Sequence, residues 1–487
     1  MRPTEHGEVW VTEDGGEIDQ DLGHYERFLD VTLSKEHNIT TGQIYRTVIE
    51  KERHGEFLGQ TVEVIPHIPN EVIKRIKIVG EKTKADFVLV EVGGVVGDYQ
   101  NILFLEAARE MKLQGENVIH VHVGYLPVLE HLGEMKSKPI QHSVRALMST
   151  GIIPDFVICR SDYPVDEVRK DKIAMFCNVK KEDIISNPNL ENVYELPLIF
   201  EEQDFGNKIL QKIHWIAKKS NLAEWKEFVE ALNNGTKTVK IGIVGKYFDI
   251  GEYKLPDSYV SVIEAIKHAA ANNDVKAEIS WIDSKDFEKN KRKLSMLKEF
   301  NGIIVPGGFG GSGVNGKILA IQYIRENNIP FLGLCYGLQL AVAEFARNVC
   351  GLKDAHTTEI DPKTKHPVID FLPWQKELIK KNQYGATMRL GGQLVLIRKG
   401  TLARKLYGRD KIVERFRHRY EINPKYVKLL EKNGFVFSGR SSKELNVMQI
   451  GELPNHKFFA GSQYHPEFTS RPLRPNPLFD GFIKACK

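Results

Sequence analysis

The chain has 487 residues, 41% hydrophobic and 27% charged, with a formal net charge of +4. That balance excludes an extensively disordered chain and is too weakly basic to imply a nucleic-acid partner, although local basic clusters can still meet phosphates. No apolar run is long enough to cross a bilayer, the start "MRPTEHGEVW" lacks the pattern of a secretory leader, and five cysteines without paired spacing point to a reducing cytoplasm.

In chain order, "DFVLVEVGG" (86–94) has the pattern of a buried strand. "NILFLEAAREMKLQG" (101–115) reads as a helix closed by glycine, "NVIHVHVGYLP" (117–127) alternates as a strand, and "PDFVICRSDYP" (154–164) is another strand. His120 and His122 share one face of the alternating run, which a plain strand explains without a metal. Residues 207–240 read as helical up to "NNGT", after which "KIGIVG", "KAEISWID" and "NGIIVPGG" are strands, with "SYVSVIEAIKHAAANN" a helix among them. From "TMRLGGQLVLIRKG" onward the runs are of β type. Strand–helix alternation predicts an α/β protein with two doubly wound parallel-sheet domains. The expected division is residues 1–220, a linker over 221–238, and residues 239–487.

"FLGLCYGLQL" (331–340) places Cys335 between glycines at the end of an apolar strand. Gly-x-Cys-x-Gly is the cysteine form of a nucleophile elbow: the tight turn lifts the thiol out of the sheet, and the following helix aims its positive end at the sulfur. The backbone N–H of Tyr336 is then placed to meet an oxyanion. "GSQYHPEF" supplies His465 to take the thiol proton and Glu467 to orient the imidazole. "IIVPGGFGGSG" (303–313) is a glycine loop that can offer a second amide, that of Gly308. Each string alone has an ordinary structural explanation; their combination points to amide hydrolysis. "GSGVNGKI" (311–318) is no phosphate loop, because Ile318 replaces the hydroxyl that would hold a metal.

At "PGGFG", "FLGLCYGLQ" and "QYHPEF" the chain resembles the class I glutamine amidotransferases. The resemblance implies a Cys335, His465, Glu467 triad that releases ammonia from glutamine through a thioester. It implies Gly308 and Tyr336 as oxyanion donors, and a glutamine site of Gly308, Phe309, Tyr336, Gly337, Leu338, Gln339, Glu359 and Arg419. Read alone, "RFRHR" around Arg419 is a basic surface strand.

"HGEVWVTEDGGEIDQDLGHYERF" (6–28), "EVGGVVGD", "KSKPIQHSV", "ICRSD" and "KIAMFCNV" extend the likeness: nearly the whole chain resembles the CTP synthase family. The resemblance implies an amidoligase domain before the amidotransferase domain, phosphorylation of UTP by ATP with Mg2+, and displacement of the phosphate by ammonia. Asp21 and Glu91 would hold the metal. His24, Asp98, Tyr99, Gln100, Lys136, Ser137, Lys138, Pro139, Ile140, Gln141, Arg160, Lys172 and Leu190 would be nucleotide contacts. GTP would be an allosteric activator acting through a lid at "ATMRLG", CTP a feedback inhibitor, and the assembly a homotetramer. His6 would line the exit of an ammonia passage, though a core histidine is an equal reading. By their own chemistry Asp21 is a surface acid, Glu91 an acid ending a buried strand, and Lys136 and Lys138 charges on a solvated loop.

The sequence departs from the family pattern at its start, where a strand and a Gly-Lys phosphate loop are expected first, and at Gln100, where a carboxylate is usual. The first departure raises two alternatives to the full reaction, a glutaminase alone or a regulatory subunit. The second puts feedback inhibition in doubt.

Overall fold

The computed structural model describes residues 7–129, 133–216, 218–245, 249–250, 253–254, 259–381, 388–442 and 446–487. The chain forms two compact units, one of Met1–Lys35 with Ala223–Lys487 and the other of Glu36–Leu222. Residues 7–35 therefore pack with the C-terminal half, and the helix Ala223–Asn234, expected in the linker, packs there too. Among the described residues no helix is long and apolar enough to cross a membrane.

In the Glu36–Leu222 unit, strands β1 (Val121–Tyr125), β2 (Phe156–Ser161) and β3 (Ile184–Pro188) form a parallel sheet in the order β1-β2-β3. The helix Ile102–Leu113 lies within the expected 101–115. His122 bonds the Ser143 hydroxyl at 2.9 Å, and no metal-holding group of three or more ligands exists among the described residues. The expected strand at 86–94 is not one: that stretch has no ladder partner among the described residues, and Leu89 is 82% exposed. Apolar periodicity reports a tendency to be buried, but a strand also needs a neighbour to satisfy its backbone.

The larger unit is built on β4 (Lys237–Gly245), β5 (Val275–Asp283), β6 (Gly302–Val305), β7 (Phe331–Leu334), β8 (Arg389–Ile397), β9 (Lys411–His418), β10 (Val436–Arg440), β11 (Met448–Glu452) and β12 (Phe459–Ser462). They form a single sheet in the order β5-β4-β6-β7-β12-β11-β10-β8-β9. The pairs from β5 to β12 are parallel and the remainder antiparallel, so the sheet is mixed where a wholly parallel one was expected. Alternate residues feed two cores. Ile303 and Val305 pack with the helices Val314–Glu326 and Tyr336–Asn348, while Ile304 and Leu334 pack with Val260–Asn272 and Pro477–Cys486. The helical break expected near residue 235 is present, and β4 begins at Lys237. A short antiparallel hairpin, Trp10–Val11 with Glu17–Ile18, and the helix Asp21–Leu29 complete this unit.

Candidate active site

Cys335 is the turn residue between β7 and the helix Tyr336–Asn348, with φ 48° and ψ −97°. A non-glycine residue there is strained, and the elbow is locked by surrounding contacts. Its N–H donates to the Ser462 carbonyl at 2.7 Å on the neighbouring β12. The flanking glycines are required by space. A Cβ on Gly337 would lie 2.1 Å from the Val305 carbonyl oxygen, and one on Gly333 would lie 2.9 Å from the Gly337 carbonyl carbon. The sulfur sits at the open end of a 13-residue helix, and the Gln463 amide reaches it at 3.6 Å.

His465 follows β12 and is fixed at both ends. Its backbone N–H donates to the Arg415 carbonyl at 2.8 Å, and its Nδ1 meets Glu467 Oε1 at 2.8 Å. Burial opposes the imidazolium, but the charges of Glu467 and of the Cys335 thiolate outweigh it and push its pKa up to about 10. Among the described residues Nε2 has no hydrogen-bond partner, and the Phe468 ring stacks on the imidazole. The three residues that the sequence singled out for catalysis thus meet in one place.

They line a cavity of about 440 Å3 together with Gly308, Phe309, Tyr336, Gln339, Glu359 and Arg419. Glu359 accepts from the Gly310 N–H at 2.7 Å, which ties the glycine loop after β6 to the site. Gln339 is buried and spends its amide on the Tyr420 carbonyl at 2.9 Å and Gln463 at 3.2 Å. The Arg419 carbonyl is held by Gln375 at 2.8 Å. Leu338 and Gly337 are buried, the Leu338 side chain lying in the core. The basic strand is not a surface feature: Arg415 is buried, and its guanidinium donates to Glu26 at 2.7 Å. The glycines of "GSGVNGK" have a packing reason as well, since a Cβ on Gly316 would lie 1.8 Å from the Ser284 carbonyl oxygen.

The groups in or beside this site that were not singled out from the sequence as functional include Glu8, Arg417, Gln463 and Phe468. Gln463 and Phe468 lie within or beside the histidine motif, so proximity was their available signal. Glu8 and Arg417 carry none, because their partners are far along the chain.

The residues expected at the nucleotide site stand differently. Asp21 is the first residue of its helix, where partial burial and then the charge of Asp19 raise its pKa. His24 Nδ1 lies 3.5 Å from the Arg27 guanidinium. In the other unit, Glu91 and Gln100 are exposed, Asp98 accepts from the Val95 N–H at 2.9 Å, and Tyr99 is 96% exposed. Lys136 pairs with Glu134 at 2.6 Å, Ser137 starts the helix Lys138–Ser149, and Lys138 lies over the Phe176 ring. Pro139 is exposed, Ile140 is in the core, and Gln141 is buried and donates to Ser137. Arg160 and Lys172 are exposed and Leu190 half-buried. His6 and the lid residues Ala386 and Thr387 lie outside the described residues.

Comparison with known proteins agrees with both halves. The family described as "CTP synthase N-terminus" matches residues 1–215, and "Glutamine amidotransferase class-I" matches residues 254–485. Proteins named CTP synthase from Sulfurisphaera tokodaii and Thermococcus kodakarensis are each 51% identical to this chain, over all of it and 90% of their own length. The one from Methanocaldococcus jannaschii is 49% identical, over all of this chain and 89% of its own length. Among solved structures, the glutaminase domain of Trypanosoma brucei CTPS with bound acivicin is 36% identical, covering 51% of this chain and 93% of its own, with a TM-score of 0.47.

Proposed function

The chain belongs to the CTP synthase family, and from that premise we propose that its Cys335 site supplies the ammonia with which UTP is aminated. The protein is an ATP-dependent CTP synthase with glutamine as nitrogen donor. The Cys335 thiolate adds to the side-chain amide carbon of glutamine, the C–N bond breaks, and the His465 imidazolium gives its proton to the leaving nitrogen, which departs as ammonia. Water then cleaves the thioester with His465 as base, releasing glutamate. The observation that carries this reading is that His465, held by Glu467 at 2.8 Å, lines one cavity with Cys335.

The amides of Gly308 and Tyr336 take the oxyanion, Arg419 pairs with the substrate α-carboxylate, and Glu359 accepts from its ammonium. Phe309, Gly337, Leu338 and Gln339 shape the same pocket. Asp21 and Glu91 would each offer hard carboxylate oxygens to Mg2+, which would neutralise the charge of nucleotide phosphates. His24, Lys136, Lys138, Arg160 and Lys172 offer the donors and positive charge that phosphates and bases require, with Asp98, Tyr99 and Gln100 on a neighbouring loop in sequence. GTP activation, a homotetramer and a cytoplasmic location complete the proposal. A glutaminase alone, or an inert regulatory subunit, is not favoured, because proteins named CTP synthase match the whole chain.

The test is alkylation of Cys335 in the purified protein. CTP formation from UTP, ATP and Mg2+ should then fail with glutamine and persist with ammonium chloride. Undiminished use of glutamine after complete alkylation overturns the site.

A further inference from the structure

Residues 7–35 fall within the stretch matched by the synthetase-half family, yet they pack with the amidotransferase unit, and three separate contacts lead from them to the triad. The first is aromatic. Trp10 is fully buried, its ring meets Phe468 edge-on at 4.9 Å, and Phe468 in turn stacks on the His465 ring at 5.2 Å and 18°. The Arg27 and Arg415 guanidiniums lie over the Trp10 ring at 5.3 and 5.2 Å, clamping it in place. The second is through the backbone. Arg415, whose carbonyl accepts the His465 N–H, donates from its side chain to the Val11 carbonyl at 3.1 Å. The third is electrostatic. Glu8 lines the same cavity as the triad, and its carboxylate accepts from the N–H of Ser261 at 3.1 Å and from the Ser261 hydroxyl. Arg27 also reaches that hydroxyl, at 3.3 Å.

We infer that Trp10 and Glu8 are positioning residues of the glutamine-hydrolysing triad, Trp10 setting the plane of the His465 ring through Phe468 and Glu8 setting the field at the His465–Glu467 pair. This rests on the active-site reading above and extends it to a segment outside the amidotransferase match. The charged groups acting on Glu8 are Glu467 and Arg27. Burial first, and then the Glu467 charge, push its pKa up to about 7, against the hydrogen bonds of Ser261 and the charge of Arg27. Glu8 therefore changes charge near neutral pH. Its ionised form favours a protonated His465, which is the partner a thiolate needs.

The experiment measures ammonia release from glutamine by the full chain between about pH 6 and 9, a span bracketing the Glu8 transition. In Glu8→Gln the inflection near pH 7 is lost. Above it kcat falls about tenfold while KM for glutamine stays within about twofold, because a field at the base is felt by the reaction and not by substrate binding. Trp10→Ala lowers kcat about tenfold in the same way, and Trp10→Phe, which keeps an aromatic edge on Phe468, restores most of it. A Glu8→Gln profile superimposable on that of the parent overturns the inference, as does a loss confined to KM. Should Trp10→Ala fail to fold, Glu8→Gln decides. Cys335→Ala separates the two levels: hydrolysis that survives it sinks the active-site reading, whereas hydrolysis that needs Cys335 and ignores Glu8 sinks this inference alone.

Discussion

Around Cys335 the polar side chains hold one another in the interior; around Tyr99 and Lys136 they face solvent. Glu467 is buried and committed to His465, Gln339 is buried and committed to Gln463 and a carbonyl, and Glu26 lies at 0% exposure between Arg415 and Arg471. Lys136, by contrast, shares its charge with a half-exposed Glu134, and Tyr99 is 96% exposed. The fold itself sets the geometry of the first region, at the cost of strain and buried charge. The residues of the second contribute little to folding. Substitutions should divide accordingly: coupled losses of stability and activity in the first region, and activity losses without destabilisation in the second.

The largest effect should come from the nucleophile. Cys335→Ala lowers glutamine hydrolysis by about 10^4-fold or more, read as ammonia release, because the covalent route is closed. Next is Glu26→Ala, which leaves two buried guanidiniums without their anion. A loss of about 3–5 kcal/mol in urea unfolding of the larger unit is expected, whereas Glu134→Ala, which breaks a solvent-screened pair, should leave the urea midpoint unchanged. Equal costs for the two would erase the contrast.

A third test uses pH. His465 is raised from its ordinary 6.5 to about 10, so the folded form binds the proton more tightly. Its contribution to stability is therefore complete below pH 6.5 and drains away as pH rises through the folded value near 10. Glu467→Gln removes the largest raising charge, so thermal midpoints of the variant should fall less steeply over that span. A parallel fall in both proteins would refute the coupling. The smallest structural effect should be that of Lys136→Ala. Its thermal midpoint stays near that of the parent, while KM for UTP or ATP rises about tenfold through the loss of one phosphate contact. An unchanged KM for both nucleotides would remove Lys136 from the nucleotide site.

The elbow was legible because its chemistry is contiguous: Gly333, Cys335 and Gly337 form one string, and His465 and Glu467 form another. Alternation also located β1 and most strands of the larger sheet. The stretch 86–94 was misread because its apolar pattern states a preference for burial and says nothing of whether a ladder exists beside it. The mixed sheet was missed because a strand's own sequence does not carry the direction of its neighbour. Arg415 was read as part of a basic surface strand in "RFRHR", and Glu26 and Arg471 were not singled out. What makes them structural is a meeting across hundreds of residues, and local patterning does not record that.

That meeting also has a temporal side. Glu26 is separated from Arg415 by 389 residues and from Arg471 by 445. At about 5–20 residues per second on the ribosome, Glu26 emerges roughly 20 to 90 s before its last cation does. During that interval the Glu36–Leu222 body can fold behind it, while the helix Asp21–Leu29 waits outside the exit tunnel with Glu26 hydrated. The hydrolytic centre can then be sealed only after Arg471 has emerged, when residues 7–35 dock onto a part made hundreds of residues later.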